Sequence, residues 1–273
     1  MRPTWVLLAL AACSATNKSP ASADAPTYVP TDAPVGLVDA PVAIDSTTTT
    51  AYDFSCVGTA PATTASATIK LSGTAMVIDS ANNALVTAPL ATAITVHGQF
   101  GNPVTTAQPD STGAFATTAI TTGGNPLSFT MSANDPANAA MTFDPNHADG
   151  TDDSTIRLLG FTTAGKTAFD AAAYPMGGNY QSYMFACVTD CAGNPITGLG
   201  ATAFTVQQFG NVTPDPKELS ALLGSNYAGC YAIRLPQLGG VTISATVEMH
   251  AFPSVQIRNE FSSAYSTLLR PGA

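Results

Sequence analysis

Hydrophobic positions fall along this chain in three textures. The first is one continuous run, Trp5-Val6-Leu7-Leu8-Ala9-Leu10-Ala11-Ala12, behind the positive charge of Arg2. Its eight residues fall far short of the ~20 that span a bilayer, so it reads as the apolar core of an export signal. The second texture, from Ser14 to about Asp53, is Ser, Ala, Pro, Thr and Asp, closing on Thr47-Thr48-Thr49-Thr50. Nothing in it can bury a face, and it is predicted to be a disordered tether. At ~5–6 Å × √n, about 40 such residues reach roughly 35 Å. The third texture is a series of short apolar or alternating stretches: Ile69 to Ile78, Leu127/Phe129/Met131, Tyr183 to Thr189, and Val241/Ile243/Ala245/Val247. Clusters of Asp, Asn, Gly and Pro separate them, the layout of short β-strands and turns. Ile156-Arg157-Leu158-Leu159 reads as a further strand, and Ala168 to Ala173 as a short helix stopped by Pro175-Met176-Gly177-Gly178.

Two parts of the third texture repeat. Val77-Ile78-Asp79-Ser80-Ala81-Asn82-Asn83-Ala84-Leu85 matches Val188-Thr189-Asp190-Cys191-Ala192-Gly193-Asn194-Pro195-Ile196. Downstream, Gly113-Ala114-Phe115-Ala116 with Gly123-Gly124 matches Gly229-Cys230-Tyr231-Ala232 with Gly239-Gly240. The spacing lengthens slightly in the second copy, which places a small insertion near Gln207 to Asn226. Two copies make a pair of units rather than a solenoid.

Each unit runs strand, Asp/Asn/Gly turn, strand, loop, Gly-aromatic strand, Gly-Gly turn, strand. Ser72-Gly73-Thr74 through Asp79, Thr92 to Val96, and Asp110-Ser111-Thr112-Gly113-Ala114-Phe115 resemble the carboxypeptidase regulatory-like (transthyretin-like) β-sandwich. The second copy matches the front of that pattern in Val188, Asp190, Gly193, Asn194, Pro195, Ile196, Thr197 and Gly198, and departs from it at Tyr231, which stands for Phe. In the first copy Asn82 and Ala84 replace Gly and Pro. The resemblance covers roughly 67–134 and 182–259 and rests on turn chemistry. It implies an all-β fold: two small antiparallel β-sandwich domains, 54–134 and 182–273, joined by a strand and short-helix linker at 135–181. It also implies a non-catalytic accessory module of exported or cell-surface bacterial proteins; some members of the family are related to starch-binding-like domains.

Composition narrows the function classes. Charged residues make up 10% of the 273-residue chain, against roughly 25% in an average globular protein. Nine basic against 18 acidic residues give a net charge of −9, which repels a phosphate backbone and excludes nucleic acid as an expected partner. One basic residue, Arg2, lies in the signal. That signal (1–12) ends in Leu10-Ala11-Ala12-Cys13, which resembles the bacterial lipobox. The resemblance implies that Cys13 is lipidated and begins the mature chain, with 13–53 as lipidated Cys and tether, and that two or three acyl chains hold it stably to a membrane. Ser14 in place of Asp implies the outer membrane.

Four further cysteines remain: Cys56, Cys187, Cys191 and Cys230. An even number in an exported chain implies two disulfides. On an extended strand Cys187 and Cys191 would lie ~13 Å apart, beyond the ~7 Å a bridge allows. Unless a turn intervenes, Cys230 is expected to pair with one of them and Cys56 with the other, pinning the start of the first domain to the second. Metal ligation by the Cys187/Cys191 pair finds no completing set, since the histidines are His97, His147 and His250.

One motif points elsewhere. Gly160-Phe161-Thr162-Thr163-Ala164-Gly165-Lys166-Thr167 satisfies G-x-x-x-x-G-K-[ST], the loop whose amides cradle phosphate, and Tyr183 to Asp190 imitates the strand whose Asp holds Mg²⁺. The helix after it is too short and too soon broken, and Asp190 is accounted for by its repeat partner Asp79. The expectation is a linker strand and helix, with a nucleotide hydrolase as the rival reading. Asp144, Asn146, Asp149, Asp152 and Asp153 form an oxygen-rich loop (144–153) without EF-hand spacing, read as a solvated loop rather than a Ca²⁺ site. No Ser lies in a nucleophile elbow and no H-E-x-x-H occurs. Trp5, the sole Trp, lies in the signal, leaving Tyr174, Tyr180, Tyr183 and Tyr227 as candidates for stacking or for core. The expected protein is non-catalytic and without cofactor. It is lipid-anchored in the envelope, with structural, adhesive or ligand-display work, and its partners are the membrane and a polysaccharide or envelope protein.

Overall fold

Asn82 and Asn83 both hold positive φ, 52° and 62°, the pair of left-handed residues that a two-residue type I′ turn requires and Asn tolerates. Strand β2 (Ser72–Ala81) therefore turns directly into β3 (Ala84–Pro89), with Ala81 opposite Ala84. The structure, a computed structural model, describes residues 51–58, 66–97, 103–123, 129–133, 139–143, 155–178, 180–257 and 262–272. The signal, Cys13, nearly all of the expected tether, His147 and the acidic loop lie outside the described residues. Nineteen strands and two short helices appear among those described, so the fold is all-β and mostly antiparallel.

Strand pairing displays the repeat. In the first copy β2 pairs antiparallel with β6 (Ala114–Ala116) and parallel with β10 (Thr155–Phe161). The other sheet of that copy runs β5 (Pro103–Ala107), β4 (Ile94–His97), β8 (Phe129–Ala133), β9 (Ala139–Phe143). A small ribbon joins β1 (Ser66–Ile69) to β7 (Ile120–Gly123). In the second copy β11 (Ser182–Val188) pairs antiparallel with β15 (Cys230–Leu235) and parallel with β19 (Ala264–Leu269). Its other sheet runs β13 (Asn211–Val212), β12 (Phe204–Gln207), β16 (Val241–Val247), with β17 (His250–Ala251) and β18 (Val255–Ile257) also on β16. The insertion expected in the second copy holds β14 (Lys217–Glu218) and α2 (Ser220–Leu223). Equivalent residues occupy equivalent places: Val77 lies opposite Gly160, and Val188 opposite Leu269. Gly113 and Gly229, just ahead of β6 and β15, hold φ of +83° and +69°. Their carbonyls accept the N–H of Ala75 and of Val188 at 2.8 Å.

These pairings correct three expectations. Residues 135–161, expected as linker, supply β9 and β10, the closing strands of the first copy, so that copy does not end at 134. The β10–β2, β19–β11 and β19–β9 pairs are parallel rather than antiparallel. The two units also share a sheet: β19 pairs with β9, giving the order β14-β15-β11-β19-β9-β8-β4-β5. A parallel partner far along the chain leaves no local mark in sequence, which is why β10 reads as a lone strand.

Three apolar clusters fill the spaces between layers. One, including Ala75, Val77, Ile94, Val96, Ile156 and Leu158, lies inside the first copy. A second, including Met184, Val188, Val206, Ile233 and Ile243, lies inside the second copy. The third joins Ile78, Leu159 and Phe161 to Phe169 of α1 (Thr163–Ala173) and to Tyr183 and Phe185. Strand β11 thus contributes alternate residues to two cores, and all seven are buried. That is the reason its sequence is a continuous apolar run rather than an alternating one. Full burial of each large side chain contributes about 1.5–3 kcal/mol. Among the described residues no helix is long and apolar enough to cross a membrane.

Candidate functional site

The phosphate-loop match folds without a loop. Gly160 and Phe161 are the last residues of β10, Phe161 being buried, and Thr162 is the N-cap of α1. One residue separates strand from helix, where an anion cradle needs a run of free amides. Local partners take the groups that would face phosphate. Gly165 N–H donates to Thr162 Oγ1 and Lys166 N–H to Thr162 O, both at 2.9 Å, and Thr167 Oγ1 donates to Thr163 O at 3.1 Å. Lys166 Nζ is 2.9 Å from Asp170 Oδ2 and 5.2 Å from the centre of the Tyr183 ring. The Tyr183 hydroxyl donates to the other oxygen of Asp170, and burial, reinforced by that carboxylate, pushes its phenol well above the ordinary range. Gly165 faces β2 closely enough that a β-carbon there would fall on the carbonyl of Ile78. The match encodes a capped helix laid on a sheet, which removes the geometric basis of the nucleotide reading.

Thr162 also ties the helix to the repeat. Its hydroxyl donates to Asp79 Oδ1 at 2.5 Å. This bond, with a second from Ser80 N–H, holds the Asp79 carboxyl below its ordinary value against a smaller opposing effect of burial. The repeat partner Asp190 is 1% exposed and serves a different clamp. Its Oδ1 accepts Asn194 N–H at 2.8 Å, while Oδ2 accepts Asn194 Nδ2 and Asp53 N–H, both at 3.1 Å. Burial by itself would raise its pKa; the bonds from Asp53 and Asn194 outweigh that and lower it. Both oxygens of Asp190 are thus engaged by the chain's own N–H groups.

Around that aspartate the chain enters the fold. Cys191 N–H donates to Asp53 O at 2.8 Å, and Cys56 is bridged to Cys191 with Cα atoms 5.7 Å apart. Phe54 stacks on His250 at 4.3 Å and meets Phe252 edge-on at 6.4 Å, while Tyr52 OH lies 3.4 Å from Thr197 O. The second bridge, Cys187–Cys230, joins residues directly opposite on β11 and β15, with Arg157 Nη1 3.4 Å from Cys230 Sγ. Both bridges have the expected form: Cys230 takes one member of the close pair and Cys56 the other. Residues 54–58, expected to open the first sandwich, instead dock on the second copy.

The remaining candidates disperse. Tyr174, Tyr183 and Tyr227 are buried, and Tyr180 lies under the Arg234 guanidinium at 4.1 Å. Burial pushes the Tyr174 phenol up, with its hydroxyl 2.9 Å from the carbonyls of Asp215 and Ala232. These rings are core and interface. His97 lies on β4 and His250 on β17, and among the described residues no three His, Cys, Asp or Glu gather as metal ligands. Sequence reasoning missed Phe209, which is 78% exposed; two neighbouring Gln and a following Gly gave it no mark.

No family model matches this chain, and no curated protein does. Among solved structures, the shaft pilin SpaA of Lactobacillus rhamnosus GG aligns at 11% identity over 77% of this chain and 99% of its own, with a TM-score of 0.23. The minor pilin GBS52 of Streptococcus agalactiae aligns at 8% identity over 76% and 97%, with a TM-score of 0.21. The Bacillus anthracis TIE protein aligns at 13% identity and a TM-score of 0.24 over 75% of this chain, which spans about a third, 34%, of that protein. Scores this low carry no argument.

Proposed function

We propose that this chain is a non-catalytic, lipid-anchored protein of the cell envelope, exported by residues 1–12, held to the outer membrane through Cys13, and extended from it by the segment to Asp53. Its work is structural, adhesive or ligand-displaying. The observation that supports this reading most is the covalent entry of the chain into the fold. Pulling on a tether attached ahead of Ala51 loads Tyr52–Cys56 first. The Cys56–Cys191 bridge passes that load to the end of β11, and Cys187–Cys230 passes it from β11 to β15. Both receiving strands are buried on both faces. A domain on a leash gains from an attachment point fastened in this manner. Two bridges also favour an oxidising compartment outside the cytoplasm.

Metabolic labelling with radioactive palmitate tests the anchor. The wild-type chain takes up label and fractionates with membranes, and Cys13→Ser is released unlabelled. Membrane association retained by the Ser variant would overturn the anchor.

A further inference from the structure

Phe209 occupies the tip of the β12–β13 hairpin, 78% exposed and at a φ of 52°. A bulky residue in the left-handed region costs of order 1–3 kcal/mol, and here exposure returns almost no burial for it. Gly or Asn would sit there without strain, so the stability of the fold does not account for a phenyl ring. The loop beneath it is fixed. Gln208 is buried, its Nε2 donating to Gln237 O at 3.0 Å and its Oε1 accepting Gln237 N–H at 3.1 Å. These bonds fix the loop from which the exposed ring projects.

Beside the ring lies a groove of about 580 Å³. Its side is one cross-strand row: Asn211 is opposite Gln207, Gln207 opposite Thr242, and Thr242 opposite Gln256. Val206, Ile243 and Ile257, next in sequence to members of this row, are buried, so the row faces outward. Adjacent strands lie ~4.8 Å apart, close to the length of one sugar residue. Among the described residues that line it none is ionisable. Those residues offer amides, a hydroxyl and one aromatic ring.

We propose that this groove binds a neutral oligosaccharide, one pyranose ring stacking its C–H face on Phe209 and the following units lying across Asn211, Gln207, Thr242 and Gln256. Amide and hydroxyl groups both donate and accept, as sugar hydroxyls do, and the π face of a phenyl ring suits the weakly positive C–H face of a pyranose. A charged polymer would find no counter-ion among the described lining residues. The proposal rests on the ligand-display reading, and its failure is distinguishable from that of the anchor, because palmitate labelling at Cys13 does not depend on the groove.

Affinity electrophoresis of the full chain through gels containing soluble starch, hydroxyethyl cellulose, galactomannan or a β-1,3-glucan, with polygalacturonate as the charged control, tests it. At least one neutral polymer retards the wild type. Phe209→Ala weakens retardation at least tenfold, and Phe209→Tyr preserves it. Phe209→Asn, which suits the left-handed backbone, loses binding while its melting temperature stays equal or rises, separating recognition from folding. Absence of retardation by every neutral polymer, retardation by polygalacturonate alone, or equal retardation of Phe209→Asn and wild type would each overturn the proposal.

Discussion

The hydroxyl of Thr162 sits between Asp79 and the amide of Gly165, donating to the carboxylate at 2.5 Å and accepting from the N–H at 2.9 Å. One side chain thus caps α1 and fastens it to the end of β2. Thr162→Ala removes both bonds. The lost cap is expected to cost about 1 kcal/mol, read as a lower melting temperature. Asp79 has a lowered folded pKa, so its contribution is present above the unfolded value and fades as pH falls through the folded one. In the Ala variant its carboxyl moves up toward the ordinary range and that acid-side loss shrinks. Carboxyl chemical shifts followed over pH 2–6 measure both changes.

Gly165→Ala separates local preference from packing. Alanine is preferred over glycine in a helix interior by about 1 kcal/mol, so propensity forecasts stabilisation. The contact with the Ile78 carbonyl forecasts the reverse, since backbone cannot yield as a flexible side chain does. Overpacking of roughly 1–3 kcal/mol less that gain of about 1 leaves the variant less stable by up to about 2 kcal/mol, read by thermal denaturation.

Removing the bridges one at a time distinguishes their roles. Chain-entropy reasoning gives about 4 kcal/mol for Cys187–Cys230 and about 5 kcal/mol for Cys56–Cys191, whose partners are 43 and 135 residues apart. Paired Cys→Ser variants should lower the midpoint of denaturant unfolding in both cases. Only loss of Cys56–Cys191 should in addition make the peptide bonds around residues 51–58 sensitive to limited proteolysis under native conditions.

Asp190→Asn retains the shape of the clamp and discards its charge. The part-buried bonds from Asp53 and Asn194 lose their charged acceptor, at a cost of order 1–3 kcal/mol at neutral pH. Because the Asp190 carboxyl is lowered in the folded protein, wild type loses this contribution as pH falls. The stability gap between wild type and variant should therefore be widest near neutrality and narrow below the ordinary carboxylate range, as pH-dependent melts would show.

Lys166→Ala tests the phosphate-loop match directly. Isothermal titration with Mg²⁺-ATP should detect no binding to either protein. The variant should lose the part-buried i,i+4 pair with Asp170 and the cation's contact with the Tyr183 ring, together about 1 kcal/mol. Tight binding abolished by the substitution would reinstate the nucleotide reading.

Much of the strand content was legible because burial stamps a period on the sequence. Ile69 to Ile78 appears as β1 and β2, Tyr183 to Thr189 as β11, and the alternation at Val241 to Val247 as β16. The repeat was legible through its turns, where Asp, Asn and Gly are tied to backbone conformation. The partner of β10 was not, since pairing between Gly73 and Ile156 depends on residues distant in sequence. Nor was the row from Asn211 to Gln256: each is an ordinary polar residue on an outward face, and only the register brings the four together.

The pairing of β19 with β9 makes the two copies depend on one short segment. Strand β9 belongs to the first copy, yet its second neighbour comes from the second, the last of the described strands. Until β19 is in place the first copy carries an open strand edge, and β11 lacks its parallel partner as well. Unpaired edges are where chains associate with one another, so the stretch from Ala264 to Leu269 completes two halves at once. A chain in which that stretch fails to dock would carry two adhesive margins.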